Sequence, residues 1–156
     1  GTGIRVSELV GLNVKDISFD ENTFKVIRKG GNEELVYFGD EVKESLEYYI
    51  DYDRMDYLKD DDENEDALFL SLKGSRLSVR RIEEMTKMYA SIAVPLKNIT
   101  PHKMRSTFGT NMYTMTGDIY LVASLLGHTN VETTRKHYSK MDSSYKKSSV
   151  QSLKIR

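Results

Sequence analysis

The sequence predicts an α+β fold, mainly α, with helices around a small three-stranded antiparallel sheet. Three observations carry this. Between positions 14 and 38, short runs rich in Val, Ile and Phe are separated by polar, turn-forming residues, as strands of a meander would be. From position 40 onward, apolar residues recur at helical spacings, interrupted by glycine, proline and capping residues. The 156 residues are 38% hydrophobic and show no internal repeat, enough for one globular core and too few for two.

Taken in order, Gly1-Thr2-Gly3-Ile4-Arg5 opens the chain abruptly, with no Met and no leader, and reads as the start of an excised fragment. Val6, Leu9, Val10 and Leu12 suit a short helix with an inward apolar face. Val14 to Phe19 and Thr23 to Arg28 read as antiparallel strands joined by the turn Asp20-Glu21-Asn22. A second turn, Lys29-Gly30-Gly31-Asn32, leads into a third strand, Glu33 to Phe38, with Lys29 at the hairpin tip. Val42, Leu46, Tyr49, Ile50 and Met55 mark a long helix for which Asp40 is the expected N-cap. The run Asp60-Asp61-Asp62-Glu63-Asn64-Glu65-Asp66 is too charged to pack and reads as a solvated loop rather than a metal site.

Ala67 to Ser71 is a short apolar stretch, and Lys73-Gly74-Ser75 turns the chain into a helix from Leu77 to Ala93. Arg76, Arg80 and Arg81 make that helix the candidate DNA-facing element. Thr100-Pro101 supplies a cap and a first-turn proline for a helix carrying His102 to Met115. Thr116-Gly117-Asp118 ends it and starts a short helix, Ile119 to Leu126, stopped by Gly127. Asn130 caps a further helix from Val131 to about Lys140, and residues 141–156 read as a polar, basic tail.

The absence of cysteine excludes a disulfide framework, thiolate–metal ligation and a cysteine nucleophile together. No apolar run approaches the roughly 18 residues of a membrane span, and no signal-peptide pattern opens the chain, so a soluble, intracellular protein is expected. The net charge of −1 conceals an asymmetry: residues 1–66 carry 8 Lys/Arg against 19 Asp/Glu, and residues 67–156 carry 15 against 5. Any surface for a polyanion therefore lies mostly in the second half.

All three histidines fall in the last third, at 102, 128 and 137. His102 and Arg105 are three apart on a predicted helix, so both can donate to one anion, for which a phosphate is the natural candidate. Such a pair also arises by chance. His128 follows a helix-ending glycine and projects from a turn, and Tyr138 comes ten residues later, where a core aromatic and a nucleophile are both open readings. No histidines are spaced for a metal, and Lys29-Gly30-Gly31-Asn32 lacks the phosphate-cradling Walker pattern.

Together these segments resemble the tyrosine recombinases of the phage integrase family. Gly3-Ile4-Arg5-Val6-Ser7-Glu8-Leu9 is similar to that family's first arginine box. Lys29 matches its hairpin lysine, and Pro101-His102-Lys103-Met104-Arg105 with Thr107-Phe108-Gly109-Thr110 its His-x-x-Arg box. Leu125-Leu126-Gly127-His128 matches the second histidine box, and Thr133-Thr134 with Tyr138 the nucleophile segment. Each motif alone is weak; five in the family's order, at plausible separations, are a strong signal.

The resemblance implies a site-specific recombinase or integrase that breaks and rejoins DNA without metal, ATP or other cofactor. Arg5 and Arg105 would grip the scissile phosphate, with Glu8 in support and His128 as a further donor. Tyr138 would attack, and His102 would hold or relay its proton, because a tyrosine hydroxyl ordinarily titrates near about 10. Lys29 would protonate the leaving 5'-oxygen. The implied partners are double-stranded DNA and other copies of the chain, as a homotetramer on DNA exchanging C-terminal tails, with no membrane. The implied location is the cytoplasm of a bacterium, acting on the chromosome, whether host- or phage-encoded.

The resemblance further implies that residues 1–140 are a catalytic domain without its N-terminal helices and a DNA-clamping domain before them, and that residues 141–156 are a tail. Weak recombination by this stretch alone is expected on that ground. Ser106 stands where the family often has a histidine, and Tyr145 lies too far from His128 to be the nucleophile. The competing readings are a non-catalytic DNA-binding or regulatory relative and a topoisomerase-like enzyme that relaxes DNA.

Overall fold

The computed structural model describes residues 1–28, 30–58, 66–128, 130–136 and 138. Lys29, most of the acidic run, His137, Tyr145 and the tail 141–156 lie outside the described residues. The chain divides into two compact units, Gly1–Arg105 and Ser106–Arg156.

In the first unit, Arg5 is extended (φ −74°, ψ 150°) and hands over to helix α1, Val6–Gly11. Glu8 sits in the first turn, where the helix dipole favours an anion. The strand expected over Val14 to Phe19 shrinks to β1, Ile17–Ser18. The reason is local: the Asn13 N–H donates to the Asp16 carboxylate at 2.8 Å and residues Val14–Asp16 form a 3-10 turn instead.

Strands β2, Thr23–Ile27, and β3, Glu33–Tyr37, complete an antiparallel sheet in the order β1-β2-β3. Its register pairs Phe24 with Val36 and Ile27 with Glu33. Alternation buries Phe24, Val26 and Val36 and leaves Lys25, Ile27, Leu35 and Tyr37 outward. The β2–β3 connection is closed by Arg28 N–H to the Asn32 carbonyl, 2.8 Å, and Gly31 N–H to the Arg28 carbonyl, 3.0 Å. Gly30 (φ 94°) and Gly31 (φ 84°) take backbone states that a side chain would oppose.

Helix α2, Asp40–Tyr48, starts one residue earlier than expected: Gly39 is the N-cap and Asp40 the first helical residue. The predicted run to Met55 is not regular. Residues Tyr49–Asp53 form a π-helical turn, with Arg54 N–H donating to the Tyr49 carbonyl at 2.7 Å. Arg54 is thereby buried, and its Nε and Nη2 donate to the Ala67 carbonyl at 3.1 and 2.9 Å. Ala67 and Leu68 are fully buried, and Leu68 N–H donates to the Leu12 carbonyl. Helix α3, Val79–Ala93, begins two residues later than predicted because the Ser78 hydroxyl caps it by accepting from Arg81 N–H. The core of this unit joins Leu12, Phe24, Val26, Val36, Phe38, Leu46 and Leu68, with the Phe24 and Phe38 rings stacked at 5.6 Å.

Helix α4, Pro101–Thr116, starts at the predicted Thr100 cap, whose hydroxyl accepts from Lys103 N–H. In the second unit, Gly117 (φ 66°) ends α4, and Asp118 caps helix α5, Ile119–Leu125, by accepting from Tyr120 and Leu121 N–H. Gly127 (φ 58°) stops α5, with His128 N–H closing on the Ala123 carbonyl at 2.9 Å. The Asn130 side chain then accepts from Glu132 N–H at 2.8 Å and opens helix α6 over residues 131–136. Tyr113, Val122, Leu126 and Tyr138 form this unit's core. Helices around a three-stranded antiparallel sheet, the predicted class, are what the chain forms. No helix among the described residues is long and apolar enough to cross a membrane.

Candidate active site

The first arginine box is built around a buried carboxylate. Glu8 is 7% exposed and accepts from Arg5 N–H (2.8 Å), Arg5 Nη1 (2.7 Å) and Arg28 Nη1 (2.8 Å). Burial alone would raise the Glu8 pKa. The Arg5 backbone N–H and the two guanidiniums outweigh it, and the carboxyl lies below its ordinary value. Arg28 is equally enclosed, 8% exposed, and also grips Glu34 through Nε (2.9 Å) and Nη2 (3.2 Å). Burial opposes its charge, but the Glu34 and Glu8 carboxylates prevail and its pKa is raised.

Arg5, whose side chain is 38% exposed, is therefore oriented by Glu8. Arg105, buried at 8%, donates through Nη1 to the carbonyl of Gly3, two residues before Arg5. Both arginines singled out in the sequence thus bear on one short segment. His102 is exposed in the first turn of α4, while Arg105 is buried. Lys29 lies outside the described residues. Arg28 was not singled out from the sequence. Its signal is the hairpin register, which brings Glu34 beside it, and that becomes readable only once the strands are paired.

In the second unit, His128 projects from the turn after α5, half-buried, with Nδ1 2.6 Å from the Thr134 hydroxyl. Tyr138 is 3% exposed, its ring 5.5 Å from that of Tyr113 at an interplanar angle of 34°. Its hydroxyl rests against Gly109 of α4, so closely that a Cβ there would stand 2.2 Å from the oxygen. Glycine at 109 is thus a requirement of this tyrosine position, as the sequence did not reveal.

Of the arginines expected to face DNA, Arg76 precedes α3 rather than lying on it. Its guanidinium donates to the Val10 and Leu12 carbonyls (3.0 and 2.8 Å) and to Asn13 Oδ1 (2.6 Å), tying down the end of α1. Arg80 and Arg81 are exposed on α3 and reach Glu84 at 2.9 and 3.4 Å; the hydrogen bond from Arg80 leads in holding the Glu84 carboxyl below its ordinary value. Exposed pairs of this kind are weak and screened by salt, so both guanidiniums can be redirected to an external anion.

Chemically, permanently charged forked donors fixed by buried carboxylate and carbonyl partners suit a phosphodiester. The phage integrase family profile matches residues 1–144. Tyrosine recombinase XerC of Staphylococcus aureus is 36% identical over 136 residues, covering 87% of this chain and 44% of the relative. Tyrosine recombinase XerD of Proteus mirabilis is 37% identical over 134 residues, covering 85% of this chain and 42% of the relative. The chain thus spans less than half the length of these curated relatives. Among solved structures, XerA recombinase superimposes with a TM-score of 0.82 at 30% identity, covering 99% of this chain and 55% of that one. XerH site-specific recombinase, in a post-cleavage complex with its palindromic difH substrate, is similar in fold, with a TM-score of 0.77 at 22% identity over 95% of this chain and 42% of that one.

Proposed function

We propose that this chain, which belongs to the phage integrase family, cuts and rejoins double-stranded DNA at specific sites through a 3'-phosphotyrosyl intermediate on Tyr138. The observation that carries the reading is the family match across residues 1–144, which takes in every motif of the proposed site. The Arg5 guanidinium, oriented by the buried Glu8 carboxylate, supports it from the chain's own chemistry. Likeness in fold to a recombinase solved on its DNA substrate supports duplex DNA as the partner.

Arg5 and Arg105 hold the non-bridging oxygens of the scissile phosphate and stabilise the charge that grows toward the pentacoordinate transition state. His128 adds a third donor. The Tyr138 oxygen attacks phosphorus, the bond to the 5'-oxygen breaks, His102 receives the phenolic proton, and Lys29 supplies a proton to the leaving 5'-oxygen, which departs as a hydroxyl. One phosphodiester replaces another, so a 5'-hydroxyl from a second strand can reverse the step without ATP, and no metal or other cofactor is needed. Residues 1–140 are the catalytic domain; residues 141–156 are a tail exchanged between copies in a tetramer on DNA in the bacterial cytoplasm. Arg80 and Arg81 contact the DNA backbone, and Arg76 serves the fold.

The test is incubation of the chain with a nicked half-site duplex in EDTA, then a denaturing gel and peptide mapping. A covalent adduct on Tyr138, absent from Tyr138→Phe, is expected. An adduct on another residue refutes the assignment. No adduct from this chain would point to a non-catalytic relative.

A further inference from the structure

The Thr133-Thr134 pair has no role in the chemistry above. Thr133 is exposed; Thr134, one turn into α6, is fully buried. The Thr134 hydroxyl lies 2.6 Å from His128 Nδ1, and among the described residues that nitrogen is the hydroxyl's one hydrogen-bond partner. A buried O–H that donates to nothing loses its hydration with nothing in return. The favoured state therefore has the hydroxyl donating to Nδ1, which must then carry a lone pair. In a neutral imidazole the proton is left on the other nitrogen, Nε2.

We infer that Thr134 is a positioning residue that fixes His128 in the Nε2–H tautomer and holds its ring by Nδ1, so that Nε2 meets the scissile phosphate as a hydrogen-bond donor. The inference rests on the reading of His128 as a phosphate ligand. Its force is electrostatic. With the proton on Nδ1 the same ring would turn a lone pair toward an anion, and a ring no longer tethered at Nδ1 would divide its time among orientations. Hydrogen-bonding partners that orient a metal-bound histidine from behind govern its function on the order of ten- to a hundredfold, and the same lever acts on a histidine that binds an anion.

Two measurements test it. In the chain labelled with 15N-histidine, long-range 15N–1H correlations at about pH 8, where an ordinary histidine is neutral, report which ring nitrogen of His128 bears the proton. Wild type and Thr134→Ser, which keeps the hydroxyl, are expected to show protonated Nε2; isosteric Thr134→Val is expected to show a mixture. A proton on Nδ1 in wild type, or an unchanged tautomer in Thr134→Val, overturns the inference. The second measurement is adduct formation on the nicked half-site at saturating DNA, with DNA affinity measured separately. Thr134→Val is expected to slow cleavage at least about tenfold while the Kd for DNA stays within about twofold; Thr134→Ser restores the rate, and Thr134→Val adds nothing to His128→Ala. A wild-type rate from His128→Ala removes the reading of His128 beneath the inference. An impaired His128→Ala beside an unimpaired Thr134→Val refutes the role of Thr134 alone.

Discussion

Glu8→Gln is the substitution that asks most of the first arginine box, because it keeps the side chain's shape and removes only its charge and half its acceptor capacity. In the native arrangement the carboxylate accepts three hydrogen bonds, two from guanidinium groups. The amide of glutamine would turn N–H groups toward N–H groups at one of these contacts. Removing one partner of a buried charged pair costs about 3–5 kcal/mol. Here the Arg28 side chain is 7% exposed but keeps Glu34, and the Arg5 side chain, at 38%, keeps water. The cost therefore falls at the low end, about 3 kcal/mol. Glu34→Gln serves as the control: Glu34 is 40% exposed, and its loss is expected to cost no more than about 1 kcal/mol. Urea unfolding, with m-values compared to establish that the denatured state is unchanged, measures both. If Glu8→Gln lies within about 0.5 kcal/mol of wild type, or costs less than Glu34→Gln, the carboxylate does not organise this cluster.

The same carboxyl sets an acid limb. Its folded pKa is below the ordinary 4.5, so its contribution is complete above that value and lost as pH falls through the lowered one; stability measured against pH should fall more steeply below 4.5 in wild type than in Glu8→Gln. Gly109→Ala gains roughly 1 kcal/mol of helix propensity but drives a methyl into the Tyr138 hydroxyl and Leu126, an overpacking cost of about 1–3 kcal/mol. Net destabilisation is expected, and a smaller cost in the Tyr138→Phe background; equal costs in both would mean the hydroxyl is not what Gly109 accommodates. Ser78→Ala removes the cap of α3 and should lower stability by about 1 kcal/mol in thermal or urea unfolding, with no change expected if the cap bond does not form in solution.

What the sequence disclosed was whatever depends on neighbours along the chain. The Thr100, Asp118 and Asn130 caps, the Gly127 stop and the glycine-closed hairpin were readable because each is settled within a few residues. The shortened β1 and the π-helical turn after Tyr48 were not. Apolar periodicity runs through both and masks what decides each: for β1 a local bond, Asp16 on Asn13, that the Val and Ile run obscures, and for the turn a distant one, Arg54 drawn in to the Ala67 carbonyl thirteen residues away. The site divides the same way. Arg5, Glu8, Arg105, His128 and Tyr138 were named from motifs; Gly109 and Thr134 lie within those motifs, but what they touch shows only in the fold, and Arg28 belongs to none of them. Arg76 shows the converse, since a basic residue beside a basic helix looks like a DNA contact until its guanidinium is found bound to three acceptors of its own chain.

Tyr138 is at once the proposed nucleophile and a core residue of the second unit. A phosphodiester does not reach a hydroxyl on a side chain that is 3% exposed, so on this reading reaction draws only on molecules whose tyrosine has left the core. Cleavage rate then becomes a gauge of how tightly the second unit is packed, and a substitution that loosens Val122 or Leu126 can quicken the chemistry while touching none of the groups that perform it.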